Sequence, residues 1–219
     1  MKEITINNQS DPYTLSDFSN KNVKNIQNSG FESFIVTGLP PNSKTSELWK
    51  YTNFHDLSKT KFFIPEEKSL DSNMKSEIFS SNNYETIYIV DGFFDAEMSN
   101  FSNNIIVEKS NDLKKLILLT ESFGKIANND DNEMIALNSA FMLDPLFISI
   151  SDSQEETNLN IVIVTTNNNN NISHFPRLFI QVDSKSQTNI LESYFNLSSD
   201  NNKLVVLVIE CLLEIDSKF

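Results

Sequence analysis

Leu159-Asn160-Ile161-Val162-Ile163-Val164-Thr165 is the stretch on which the fold turns. Its centre, Ile161 to Val164, is apolar on consecutive residues. A strand with one wet face alternates apolar and polar residues, so this run predicts a strand buried on both faces. Its neighbours repeat the theme. Leu146 to Ile150, Arg177 to Val182, Thr188 to Phe195 and Leu204 to Leu213 are further short apolar runs, separated by loops of Asn, Ser and Asp. No helical stretch between them is long enough to serve as a βαβ crossover. The pattern leaves a sandwich, a barrel or a β-solenoid open.

On the N-terminal side, Tyr84 to Val90 is rich in aromatic and β-branched residues and ends at Asp91-Gly92, a turn signal. Asn104 to Glu108 reads as a strand, and Leu113 to Leu119 fits either helix or strand. One helix is expected near residues 131–143. Asp130 or Asp131 can cap it, with Glu133 three residues after Asp130, and Met134, Leu137, Ala140 and Phe141 form one apolar stripe. Asp144-Pro145 stops it. Residues 1–80 carry little strand pattern and read as a small, mostly helical N-terminal region. Gly38-Leu39-Pro40-Pro41 breaks it, and Asn42 or Ser43 offers a cap for a short helix. The mainly β part then runs over 84–219.

The 219 residues carry a net charge of -13 with 39% hydrophobic and 21% charged residues. That composition is too apolar for a disordered chain, and no apolar run is long enough for a membrane-spanning helix. Arg177 is the sole arginine, which argues against nucleic-acid binding. Cys211 is the sole cysteine, so no internal disulfide forms and a reducing compartment fits. Asparagine is abundant, with Asn167 to Asn171 in one run. The Asn clusters lie between apolar runs and read as loops.

No catalytic constellation stands out. His55 and His174 are the two histidines, and neither forms a dyad motif or a ligand-type spacing with Cys211. Cys211 lies in an apolar strand, where a thiol is ordinarily a small buried hydrophobe. No phosphate-binding Gly loop occurs among the four glycines. Trp49, beside Lys50 and Tyr51, reads as a packing anchor or as a recognition surface.

Four segments in order carry a resemblance. Gly38-Leu39-Pro40 is followed after six residues by Glu47-Leu48-Trp49-Lys50-Tyr51-Thr52. Ile87 to Gly92 continues through Phe93-Phe94 to Met98-Ser99. Ala136-Leu137-Asn138-Ser139-Ala140-Phe141 precedes Leu146. Ser173-His174-Phe175-Pro176-Arg177 leads to Glu192-Ser193-Tyr194. Together they resemble the SufD-like components of the SUF iron–sulfur cluster assembly system, in the SufB/SufD family. Asp144-Pro145 replaces the family's Asp-Gly, and Phe175 interrupts its His-Pro-Arg.

The resemblance implies a right-handed β-helix core behind the helical N-terminal region. It also implies that the chain is the N-terminal portion of a longer protein. It implies a non-catalytic scaffold in a hetero-oligomer with SufB-like and SufC-like partners, in a bacterial cytoplasm or a plastid stroma. An iron–sulfur cluster is then expected only at the level of the assembled complex, with no resident cofactor or metal. The motif positions expected to matter structurally are Gly38, Leu39, Pro40, Glu47, Trp49, Lys50, Tyr51, Gly92, Asn138, Pro176 and Arg177. The alternative is a carbohydrate-active enzyme on a β-solenoid or jelly-roll, using a carboxylate pair such as Asp144 and Glu192.

Overall fold

A computed structural model describes residues 2–6, 18–40, 49–67, 70, 74, 78, 83–130, 132–151, 155–166, 171–197 and 202–219. In chain order its elements are β1 (Lys2–Thr5), α1 (Lys21–Thr37), α2 (His55–Lys59), β2 (Lys61–Ile64), β3 (Glu85–Val90), β4 (Phe93–Asn100) and β5 (Ile105–Lys109). A 3-10 turn (Ile117–Glu121) and α3 (Glu133–Phe141) follow. The chain then adds β6 (Leu146–Ile150), β7 (Thr157–Thr165), β8 (Ile172–His174), β9 (Arg177–Val182), β10 (Thr188–Asn196), β11 (Lys203–Val205) and β12 (Val208–Leu213).

These strands form three sheets of four, in the orders β1-β2-β8-β11, β10-β7-β3-β4 and β12-β9-β6-β5. Each sheet is mixed. β1–β2, β3–β4 and β5–β6 are antiparallel, whereas the remaining pairs run parallel. Parallel neighbours are joined through strands of the other sheets, as β7 is to β10 by way of β8 and β9.

The expected right-handed β-helix is therefore corrected. Among the described residues the architecture is three mixed four-stranded sheets, with no closed solenoid. The physical reason is visible at Asp91-Gly92. Both residues take positive φ (50° and 92°), which reverses the chain at once into the β3–β4 hairpin. Sequence periodicity registers a strand but not the direction of its partner. In the N-terminal region, β1 and β2 build half of one sheet beside the two helices.

Burial explains the apolar runs. Ile161 and Ile163 pack with Ile87, Ile89, Ile148 and Ile180 in the core between two sheets. Val162 and Val164 instead face Tyr88, Val90, Leu70 and Ile78. Both sides of β7 are filled, as its consecutive apolar residues require.

The helices cover a further core. Asn20 caps α1, its Oδ1 accepting from the Asn22 and Val23 N–H groups at 2.9 and 3.3 Å. Gly38, with φ of 67°, ends it by donating to the Phe34 carbonyl. Asn132 caps α3 instead of Asp130, accepting from Met134 N–H at 2.7 Å, while Asp131 lies outside the described residues. Phe34 and Phe141 meet edge-on at 6.4 Å between the two helices. Gly30 permits that approach, since a Cβ there would lie 2.5 Å from Ser139 Cβ.

Candidate functional site

The chemistry-bearing groups converge on a buried hub between α3, β9 and β12. Arg177 opens β9 directly after Pro176, and Glu210 sits on neighbouring β12 in parallel pairing. Both side chains have zero exposure, and Arg177 Nη2 donates to Glu210 Oε1 at 2.6 Å. The Arg177 Nε donates to the same oxygen at 3.1 Å. Nη2 also donates to the Ala127 carbonyl at 3.0 Å. Nη1 reaches Ser139 Oγ at 3.2 Å and Asn138 Oδ1 at 3.5 Å. These bonds match the five N–H donors of a guanidinium. Its plane rests over the Phe123 ring, 5.2 Å from the centroid.

Glu210 is equally engaged. Its carboxylate accepts from the backbone N–H groups of Gly124, Ile126 and Ala127 at 2.9, 3.2 and 3.1 Å. Burial pulls the Arg177 guanidinium below its ordinary value, against the opposing Glu210 charge. Asn138 completes the hub by donating from Nδ2 to the carbonyls of Pro176 at 2.7 Å and Val206 at 2.6 Å. Each Arg177 donor thus has a partner inside the protein.

A second buried cluster surrounds the β3–β4 turn. Asp91 accepts from Thr166 N–H at 2.9 Å and from its hydroxyl at 2.6 Å. His174 lies 2.9 Å from Thr165 Oγ1 through Nε2, while its buried Nδ1 has no hydrogen-bond partner among the described residues. Burial lowers the imidazole to about 4, the Asp91 charge opposing and Lys203 adding to the shift. Gly92 is required here, because a Cβ on it would approach His174 Cβ to 3.0 Å.

The motif positions thus fall in several places. Asn138, Pro176 and Arg177 meet at the hub, and Gly92 lies against His174. Gly38, Leu39 and Pro40 close α1, with Leu39 packed on the helical core and Pro40 buried. Trp49 donates from Nε1 to Glu133 Oε2 at 3.3 Å and meets Phe54 edge-on at 5.2 Å. Lys50 stands 5.4 Å from the centre of the Tyr51 ring, which is 91% exposed. Glu47 lies outside the described residues.

Other candidates do not converge. Asp144 pairs with Lys109 at 3.3 Å, and burial raises its carboxyl. Glu192 is exposed on β10 and accepts from the Tyr194 hydroxyl at 2.7 Å. Neither groove described among the strands is lined by both acids. Burial, then the nearby Glu192 charge, push the Cys211 thiol up, the wrong direction for a nucleophile. Among the described residues no three His, Cys, Asp or Glu side chains are grouped to hold a metal ion. No helix there is long and apolar enough to cross a membrane. Sequence reading missed Glu210, although an acid inside Val208-Ile209-Glu210-Cys211-Leu212-Leu213 was the available signal.

The family model for the SufBD protein N-terminal region matches residues 8–160. The chain belongs to the SufB/SufD family. That match spans Trp49, Gly92 and Asn138, whereas Arg177 and Glu210 lie beyond it. SufBD proteins are generally non-catalytic components, and membership links this chain to SUF iron–sulfur cluster assembly. No curated protein matches the sequence.

Proposed function

We propose that this SufBD chain is a non-catalytic scaffold subunit, of the SufD-like kind, in iron–sulfur cluster assembly. It works in a hetero-oligomer with SufB-like and SufC-like partners, in a reducing compartment such as a bacterial cytosol or a plastid stroma. The carrying observation is the family match over residues 8–160. The hub supports the reading, because Arg177 and Glu210 are tied to internal partners, as structural groups are. The cluster is cargo of the complex in this reading.

Co-expression of the full-length gene product with SufB-like and SufC-like proteins tests it. The expected result is a stoichiometric complex on size-exclusion chromatography that accumulates an iron–sulfur cluster. A chain that elutes alone at concentrations where those two proteins associate with each other would defeat the proposal.

A further inference from the structure

One lateral row crosses the whole β12-β9-β6-β5 sheet. Glu108 pairs with Phe147, Phe147 with Phe179, and Phe179 with Glu210. Paired residues point to the same face. An acid therefore stands at each edge of the sheet, with two fully buried phenylalanines between. The segment 110–130 lies across this row from edge to edge. Near its start, Glu108 Oε2 accepts from the N–H groups of Lys114, Lys115 and Leu116 at 2.9, 3.1 and 3.0 Å. Near its end, Glu210 accepts from those of Gly124, Ile126 and Ala127. Between them Phe123 settles on the row, its ring 5.2 Å from that of Phe147 and 6.5 Å from that of Phe179.

Apart from the 3-10 turn, this segment is irregular. Among the described residues, its backbone bonds to backbone outside it only at Ser110 and Asp112, where it leaves β5. Side chains make the other ties. Asn111 is bonded to Ser19, Thr120 to Asn22, and Asn129 to Ile26, Ser29 and Ser33 on the α1 side. Arg177 holds the Ala127 carbonyl. A segment attached by side chains, with no ladder of backbone bonds, belongs to the low-stability end of a fold.

The geometry points to a latched strap. Residues 110–130 open as one unit while the three sheets stay paired. Glu108 and Glu210 are the two latches, and opening uncovers Phe147 and Phe179. The latches act together because Phe123 pins the short stretch between them. Freeing one end draws Phe123 from its seat and loosens the other. The inference concerns motion within this chain and stands apart from the assembly role.

Amide hydrogen exchange of the full chain, followed residue by residue by NMR at neutral pH, tests it. The N–H groups held by Glu108 and by Glu210 should share one protection factor, roughly tenfold or more below that of β6 and β9. Glu108→Gln weakens one latch. It should lower protection about tenfold at Gly124, Ile126 and Ala127 as well as at Lys114, Lys115 and Leu116. Gly124→Ala probes from the other end and alters neither acid. Its φ of 77° and an added Cβ 2.5 Å from Ile26 Cδ1 strain the closed strap. It should lower protection at Lys114, Lys115 and Leu116. Strap amides as well protected as those of β6 and β9 overturn the inference, because the segment then opens only when the whole chain unfolds. So does a loss of protection confined to the altered end in either variant.

Discussion

Arg177 and Glu210, on adjacent strands and both without solvent exposure, bond through Nη2 and Oε1 at 2.6 Å, while Glu210 also holds three backbone N–H groups of the Gly124–Ala127 loop. One carboxylate therefore neutralises the buried guanidinium and fixes a loop. A buried pair need not add much to stability relative to an apolar substitute, but losing one member is costly.

Glu210→Gln leaves Arg177 as a buried charge with no counter-ion. The expected loss is about 3–5 kcal/mol. A fall in the urea midpoint, with the fold retained in dilute buffer, checks it; an unchanged midpoint would show that the guanidinium finds water or another anion.

Asn138→Leu keeps much of the volume but strips the donors from the Pro176 and Val206 carbonyls. The Pro176 carbonyl keeps the Val208 N–H at 3.1 Å, so the loss comes from the Val206 carbonyl and is about 1–3 kcal/mol. The loss should reappear in Asn138→Asp, whose ionised carboxylate cannot donate. Equal stability of wild type and Asn138→Asp would contradict the assigned bonds.

Gly92→Ala meets two obstacles, a φ of 92° and a 3.0 Å approach to His174 Cβ. A loss of about 1–3 kcal/mol follows. Thermal melts compare it with Gly38→Ala, where φ is 67° but nothing lies within 4 Å of the added atom. Gly92→Ala should be the worse of the two.

His174 makes stability depend on pH. Burial depresses its folded value to about 4, below the 6.5 of the unfolded chain. The unfolded chain then binds the extra proton between those values, so stability is full above about 6.5 and declines as pH falls toward 4. The decline is of order 3 kcal/mol. Urea unfolding between neutral and acid pH measures it, and His174→Gln should flatten the profile across that window. A parallel slope in the variant would assign the effect to carboxylates instead.

Much of the strand content was legible because burial leaves a direct trace. Ile161 to Val164 is apolar on both sides of a strand that is covered on both sides. α3 announced itself by its stripe and its Pro145 stop, although Asn132 took the capping role. Pairing direction was not legible. β3 and β4 join through a tight turn and β7 and β10 through two strands of other sheets, yet each reads locally as an extended run. β4 escaped notice because Asp95, Glu97 and Ser99 interrupt its apolar pattern, and Asp95 and Ser99 are drawn into local hydrogen bonds. Asn138, Pro176 and Arg177 could be singled out by resemblance, but not their meeting point. That depends on Glu210, one acid in an apolar run, whose partner is set by sheet register.

The separation of 33 residues between Arg177 and Glu210 also sets a timetable for synthesis. At roughly 5–20 residues per second, a ribosome needs a few seconds to extend the polypeptide from one to the other. During that interval the nascent chain carries an arginine destined for a dry interior and no anion to accompany it. Early collapse of β9 against α3 is disfavoured until β12 emerges, which delays commitment and leaves apolar strands exposed to holdase chaperones.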